Sequence, residues 1–101
     1  MKAAGSKEEL SRLVDLTGAV IARTSLRHAN LTDAILSGAN CSYVDFRGAN
    51  MLRTKLRGTI LVGALLSEVK NLTREQVSEA IFDHTTVLPD YLSDMRPKAA
   101  E

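Results

Sequence analysis

A chain of 101 residues has room for one small domain, and its 45% apolar content must build a core without tryptophan. Tyr43, Tyr91, Phe46 and Phe82 are its only aromatic residues, so aliphatic side chains have to do most of the filling. A net charge of +1 gives no global reason to invoke nucleic acid, an anionic membrane or mimicry of an acidic polymer.

The N-terminal stretch MKAAGSKEEL has no apolar leader core. Ser6-Lys7-Glu8-Glu9 instead has the form of a capping box, and Leu10, Leu13 and Val14 follow it, which predicts a short helix over residues 7–13 within an N-terminal segment 1–13.

From residue 14 the chain changes character. Stepping by five from Leu16 gives Leu16, Ile21, Leu26, Leu31, Leu36, Cys41, Phe46, Met51, Leu56, Leu61 and Leu66, all apolar or thiol. Two residues before each stands a small or β-branched residue: Val14, Ala19, Thr24, Ala29, Ala34, Ala39, Val44, Ala49, Thr54, Thr59 and Ala64. In an α-helix a step of five turns the side chain by roughly 140°, and in a strand an odd step sends successive side chains to opposite faces. Neither element keeps one column inward. A square coil does: each pentad forms one side, four pentads close a turn, and residues twenty apart stack at about 4.8 Å. Gly18, Gly38 and Gly58 then share a corner column, where glycine tolerates tight geometry, and Asn30 and Asn50 stack where their amides can bond to neighbouring turns.

The triplets Ala29-Asn30-Leu31, Ala39-Asn40-Cys41 and Ala49-Asn50-Met51 carry a resemblance to the pentapeptide-repeat family, whose consensus is A-(D/N)-L-X-X. The resemblance covers residues 14–70 and implies an all-β solenoid. Its form would be a right-handed quadrilateral parallel β-helix of just under three coils, with short α-helical caps at both ends.

The register fails at Asn71, where an apolar residue was due. Thr73-Arg74-Glu75-Gln76 is a second capping box, with Leu72 and Val77 placed as a hydrophobic staple, predicting a helix over about 74–82 across the last coil. Residues 71–94 read as a C-terminal cap of that helix plus an extended segment, and 95–101 as a loose tail. The stretch NLTREQVSEAIFDHTTVLPDYL also resembles the segment that follows the repeats in many bacterial, particularly cyanobacterial, members of the family.

Chemistry has few candidates. Cys41 falls in the inward column, as a small buried side chain, and cannot form an internal disulfide, which favours a reducing cytoplasmic setting. The three N-x-[ST] matches, at Asn30, Asn40 and Asn71, are by-products of the pentad consensus. His28 and His84 lack partners at metal-ligand spacing, and no nucleophile, phosphate-loop or paired-carboxylate pattern appears. The expectation is therefore no enzyme, no cofactor, no metal and no small-molecule substrate. The apolar stretch near residues 60–66 is interrupted by Gly63 and too short for membrane insertion.

The outward positions are where function would have to lie. Val20, Ile35, Leu52, Ile60, Val62 and Leu65 point away from the core in the wrapped register. Either residues 86–88 and 91–92 fold back over them, or they meet a partner. Residues 16–70 hold seven basic residues against Asp33, Asp45 and Glu68, whereas residues 71–101 sum to −3. Arg27 and Arg47 stack in one column, and Arg53, Lys55 and Arg57 cluster at one corner, without the aromatic platform that single-stranded nucleic acid uses. The candidate partner surface is Val20, Ile60, Val62, Leu65, Tyr43, Arg27, Arg47 and Arg57. The reading is a structural, protein-interaction module for an unidentified protein or a homodimer. The alternative that the resemblance implies, mimicry of duplex DNA to inhibit or protect an enzyme such as gyrase, is disfavoured by the short length and the net positive repeat faces.

Overall fold

A computed structural model describes residues 14–97; the helix expected over residues 7–13 lies outside them. Each pentad from Asp15 to Lys70 repeats one local event. The inward residue is followed by a two-residue turn, closed where the next small residue donates its N–H to the inward carbonyl, as from Ala39 to Leu36 (2.9 Å) and from Ala64 to Leu61 (3.0 Å), or at Ile21 where the Thr24 hydroxyl donates instead (2.7 Å). The second turn residue has positive φ at all eleven positions: Gly18, Arg23, His28, Asp33, Gly38, Tyr43, Gly48, Arg53, Gly58, Gly63 and Glu68, from 58° to 77°. That is the signature of a type II turn, whose third residue favours glycine. Six of the eleven carry a side chain there against that preference.

The residue before each inward position pairs with its counterpart twenty residues on. Parallel bridges join Asp15 to Ile35 and Lys55 on the first side, and Val20 to Asn40 and Ile60 on the second. They join Ser25 to Asp45 and Leu65 on the third side, and Asn30 to Asn50 and Lys70 on the fourth. Four sides of five residues make one turn. Each bridge is a single residue, so the described residues form ladders without extended strands. Hydrogen bonds run between coils at every side, for example Leu36 to Lys55 (2.9 Å), Cys41 to Ile60 (2.8 Å) and Phe46 to Leu65 (2.8 Å).

The core is the stack of inward columns. Leu31, Leu36, Cys41, Phe46, Met51, Leu56, Leu61 and Leu66 are buried, with Ala34, Ala39, Val44, Ala49 and Ala64 beside them. Leu16, Ile21 and Leu26 are only half-buried, because no further coil lies beneath them among the described residues. Thr54 and Thr59 occupy the small column and stay buried because their hydroxyls donate to the Leu31 and Leu36 carbonyls one coil below, at 2.7 and 2.6 Å.

The asparagine column works differently from the expected cross-coil bonding. Asn30, Asn40 and Asn50 each accept, on their own side-chain oxygen, the N–H two residues ahead, at 3.1 Å. Asp15 and Asp45 do the same at 3.0 Å. A short polar side chain thus caps its own turn, the Asx geometry such residues favour. Among these bonds only Asn71 reaches across coils, donating to Asn50 at 2.9 Å.

At Asn71 (φ 64°) the ladder slips but does not end. Helix α1 (Arg74–Glu79) starts at a full capping box between Thr73 and Gln76, buries Val77, and stops three residues short of the end expected at residue 82. It stops because Ala80 turns extended (ψ 168°), allowing Ile81 to bridge Ile60; Val87 then bridges Leu65. The second and third sides therefore gain another rung after offsets of twenty-one and twenty-two residues. The Gln76 amide closes the coil at the corner between its fourth and first sides by donating to the Met51 and Thr54 carbonyls at 2.9 and 2.8 Å. A 3₁₀ turn (Asp90–Leu92) buries Leu92, and Met95, expected in a loose tail, packs against the core.

Candidate interaction surface

Nothing inside the coil is available for chemistry. Cys41 is fully buried, and burial pushes its thiol up to about 11, far from the range of a nucleophilic thiolate. Among the described residues no group of three or more His, Cys, Asp or Glu could hold a metal ion, and no helix is long and apolar enough to cross a membrane.

On the second and third sides the upper rungs are apolar. Ile60 and Leu65 are half-buried, each covered on its upper flank by the bridge to Ile81 or Val87, which are themselves 53% and 44% exposed. Val62 lies at the corner between these sides, one turn above Ser42. Ile81 and Val87 therefore cover only the upper flanks of Ile60 and Leu65 and extend the apolar strip with their own side chains, and of the segments expected to fold back, Leu92 and the Tyr91 hydroxyl (2.7 Å to the Leu72 carbonyl) engage the end of the coil. Val20, the most exposed large apolar residue, sits on the same second side but two rungs below Ile60, with Asn40 between. Ile35 is half-buried between Asp15 and Lys55, and Leu52 is at the edge of exposure.

The corner beneath Val62 is a stack. Tyr43 lies with its ring over the place where Gly63 has no side chain: a Cβ there would come within 3.0 Å of the ring's Cζ, and nearer still to its edge. The Arg23 guanidinium packs on the same ring, 4.6 Å from its centroid. His28 fills the equivalent space at Gly48, where an added Cβ would meet Nδ1 at 2.5 Å.

The basic residues are partly neutralised. Arg47 grips Asp45 with two bonds, at 2.9 and 2.8 Å, and Arg27 stands 4.0 Å from the same carboxylate. The Arg47 hydrogen bond, with the charges of both arginines helping, holds the Asp45 carboxyl down at about 2. Arg53 grips Asp33 one coil below in the same two-pronged way, at 2.7 and 3.0 Å. Arg57 is exposed. Of the proposed surface residues, the structure thus gathers Tyr43, Ile60, Val62 and Leu65 on adjoining columns. It places Val20 lower on the second side, Arg27 and Arg47 around Asp45, and Arg57 at a different corner. Ile81 was missed because it comes after the register break, and Val87 was expected only within a covering segment; an allowance for one inserted residue at Asn71 would have put Ile81 above Ile60.

A family model for pentapeptide repeats matches residues 15–51 in eight copies. Residues 15–51 are pentapeptide repeats. Among solved structures, a pentapeptide repeat protein (Rfr23) from the cyanobacterium Cyanothece 51142 is similar, with a TM-score of 0.60 at 29% identity. The match covers 73% of this chain and 53% of that one, so the chain spans about half of that protein's length. No curated protein gives a significant match. The repeats and this neighbour together imply a right-handed β-helix.

Proposed function

We propose that this pentapeptide-repeat chain is a non-enzymatic interaction module, acting in a reducing cytoplasmic setting, whose quadrilateral coil presents an apolar strip to a protein partner or to a second copy of itself. The observation that carries the reading is the strip of Ile60, Val62, Leu65, Ile81 and Val87 on two adjoining sides of a coil whose interior is filled by its own side chains. Ile81 and Val87 are exposed and Ile60, Val62 and Leu65 half-buried below them, and apolar area gathered in this way marks association surfaces. The short α1 helix and the Gln76 amide serve as its C-terminal cap. Mimicry of duplex DNA is the weaker reading: the acidic residues Asp33 and Asp45 are held by Arg53 and Arg47, which leaves no acidic face along the repeats.

The test is sedimentation velocity at micromolar concentration on the wild-type chain and on Ile81→Lys, whose exposed side chain can change without touching the core. Concentration-dependent association lost in the variant supports the homodimer. A monomer throughout, together with an immobilised wild-type chain that retains no protein beyond what the Ile81→Lys chain retains, overturns the proposal. A gyrase supercoiling assay should show no effect at large excess of the chain.

A further inference from the structure

On the second and third sides every ladder position between the first rung and the last is used in both directions. Ile60, for instance, donates to Ala39 and accepts from Cys41 on its lower flank, while its neighbours Leu61 and Thr59 bond upward to Ile81. On the last rung Ile81 and Val87 make the downward bonds, so the N–H groups of Phe82 and Leu88 and the carbonyls of Ala80 and Thr86 face the open end. Among the described residues none of these four groups has a hydrogen-bond partner. Such an edge is a template for one more strand.

The edge forms one wall of a groove. The other wall is the chain at Ser93–Pro97, and the space between, about 470 Å³, is lined on its apolar parts by Phe82, Val87, Leu88 and Met95. That size falls within the roughly 300–1,000 Å³ of ordinary binding pockets. The surrounding segment, residues 71–97, holds five acidic residues (Glu75, Glu79, Asp83, Asp90 and Asp94) against Arg74 and Arg96, a net −3.

We infer that the open end of the coil binds an extended, basic peptide segment, which adds a rung to the ladder through the Phe82 and Leu88 amides and seats alternate apolar side chains in the groove. This is strand addition, in which main-chain bonds give affinity and pockets for alternate side chains give selectivity. The groove's own lining is balanced, Asp83 against Arg96, so the basic preference follows from the net charge of the surrounding segment, in which Glu75 and Glu79 stand beside the Arg74–Asp94 pair. The inference narrows the reading of the chain as a protein-binding module. It uses the end of the coil rather than the side strip, so loss of self-association in sedimentation leaves it untouched.

The test is fluorescence anisotropy of the full chain with dye-labelled six-residue probes. One alternates valine and lysine, one alternates valine and glutamate, and one is the lysine probe with alternate backbone amides N-methylated. The lysine probe should bind, weakening as salt rises, and the other two should bind about tenfold or more weakly, roughly the loss of one or two net hydrogen bonds or of charge complementarity. Leu88→Pro removes an N–H that bonds nothing among the described residues, and should weaken the lysine probe similarly. The N-methylated probe provides the same information should that variant misfold. Absence of binding by the lysine probe, equal binding of the lysine and glutamate probes, or indifference to N-methylation would each overturn the inference.

Discussion

Two glycines with nearly the same backbone separate the cost of a left-handed corner from the cost of filling a space that a neighbour uses. Gly38 (φ +70°) has open room toward the coil below, the nearest atom to an added Cβ being the Gly18 nitrogen at 3.9 Å. Gly38→Ala should therefore feel only the left-handed conformation, about 1–2 kcal/mol, less the roughly 0.4–1 kcal/mol by which alanine reduces unfolded-chain entropy. The net is about 1 kcal/mol. Gly63 (φ +72°) has the same backbone, but its added methyl would enter the Tyr43 ring. The ring must swing outward, giving up its contact with the coil and the Arg23 guanidinium at 4.6 Å, an interaction of about 0.5–1 kcal/mol at an exposed site. Gly63→Ala should cost about 2 kcal/mol in total. In a Tyr43→Ala background the same substitution should fall back to about 1 kcal/mol. Urea unfolding of the single and double variants measures the coupling directly. Equal costs for the two glycines, or a Gly63→Ala cost indifferent to Tyr43→Ala, would refute the stacked corner.

Leu36→Asp should unfold the chain, because it places a carboxylate at a fully buried site, whereas Ser37→Asp, one position along and half-buried, should leave the circular dichroism and melting behaviour largely intact. Thr59→Val keeps shape but removes the hydroxyl donated to the Leu36 carbonyl, and should cost about 1 kcal/mol in denaturant unfolding. The depressed Asp45 carboxyl predicts an acid limb: its folded value of about 2 lies below its ordinary 3.8, so its contribution is complete above about pH 4 and is lost as pH falls through 2. Asp45→Asn should flatten the stability profile across that window, measured by denaturant titrations at each pH. Cys41 should resist a thiol reagent at pH 8 in the native state and react at once in denaturant, since burial holds its thiol near 11.

The inward leucine column and the small column were legible because a step of five has no place in a helix or a strand, and only a coil can turn Leu31, Leu36 and Cys41 to one axis. The left-handed corners were visible only where glycine occupied them. Arg23, His28, Asp33, Tyr43, Arg53 and Glu68 adopt the same positive φ, imposed by the ladders on both sides of the turn rather than by their own preference. The Asx caps were misjudged because wrapping the sequence shows which asparagines stack but not that each finds a nearer donor in its own turn. The apolar strip was half legible: Ile60, Val62 and Leu65 follow from the register. Ile81 and Val87 depend on a slip at Asn71 and on a helix that stops at Glu79, neither of which the period encodes. The Tyr43 stack was within reach, since wrapping at twenty aligns Arg23, Tyr43 and Gly63 in one column.

The claim on which everything else stands is that pentads wind four to a turn and continue past Asn71 with a slipped register. Couplings transmitted through backbone hydrogen bonds in a long-range NMR experiment test it directly. The amides of Leu36, Cys41 and Phe46 should couple to the carbonyls of Lys55, Ile60 and Leu65, nineteen residues on, and those of Leu61 and Leu66 to Ile81 and Val87, twenty and twenty-one residues on. For these five amides, couplings to carbonyls four residues back, or at any offset other than those given, would contradict the coil.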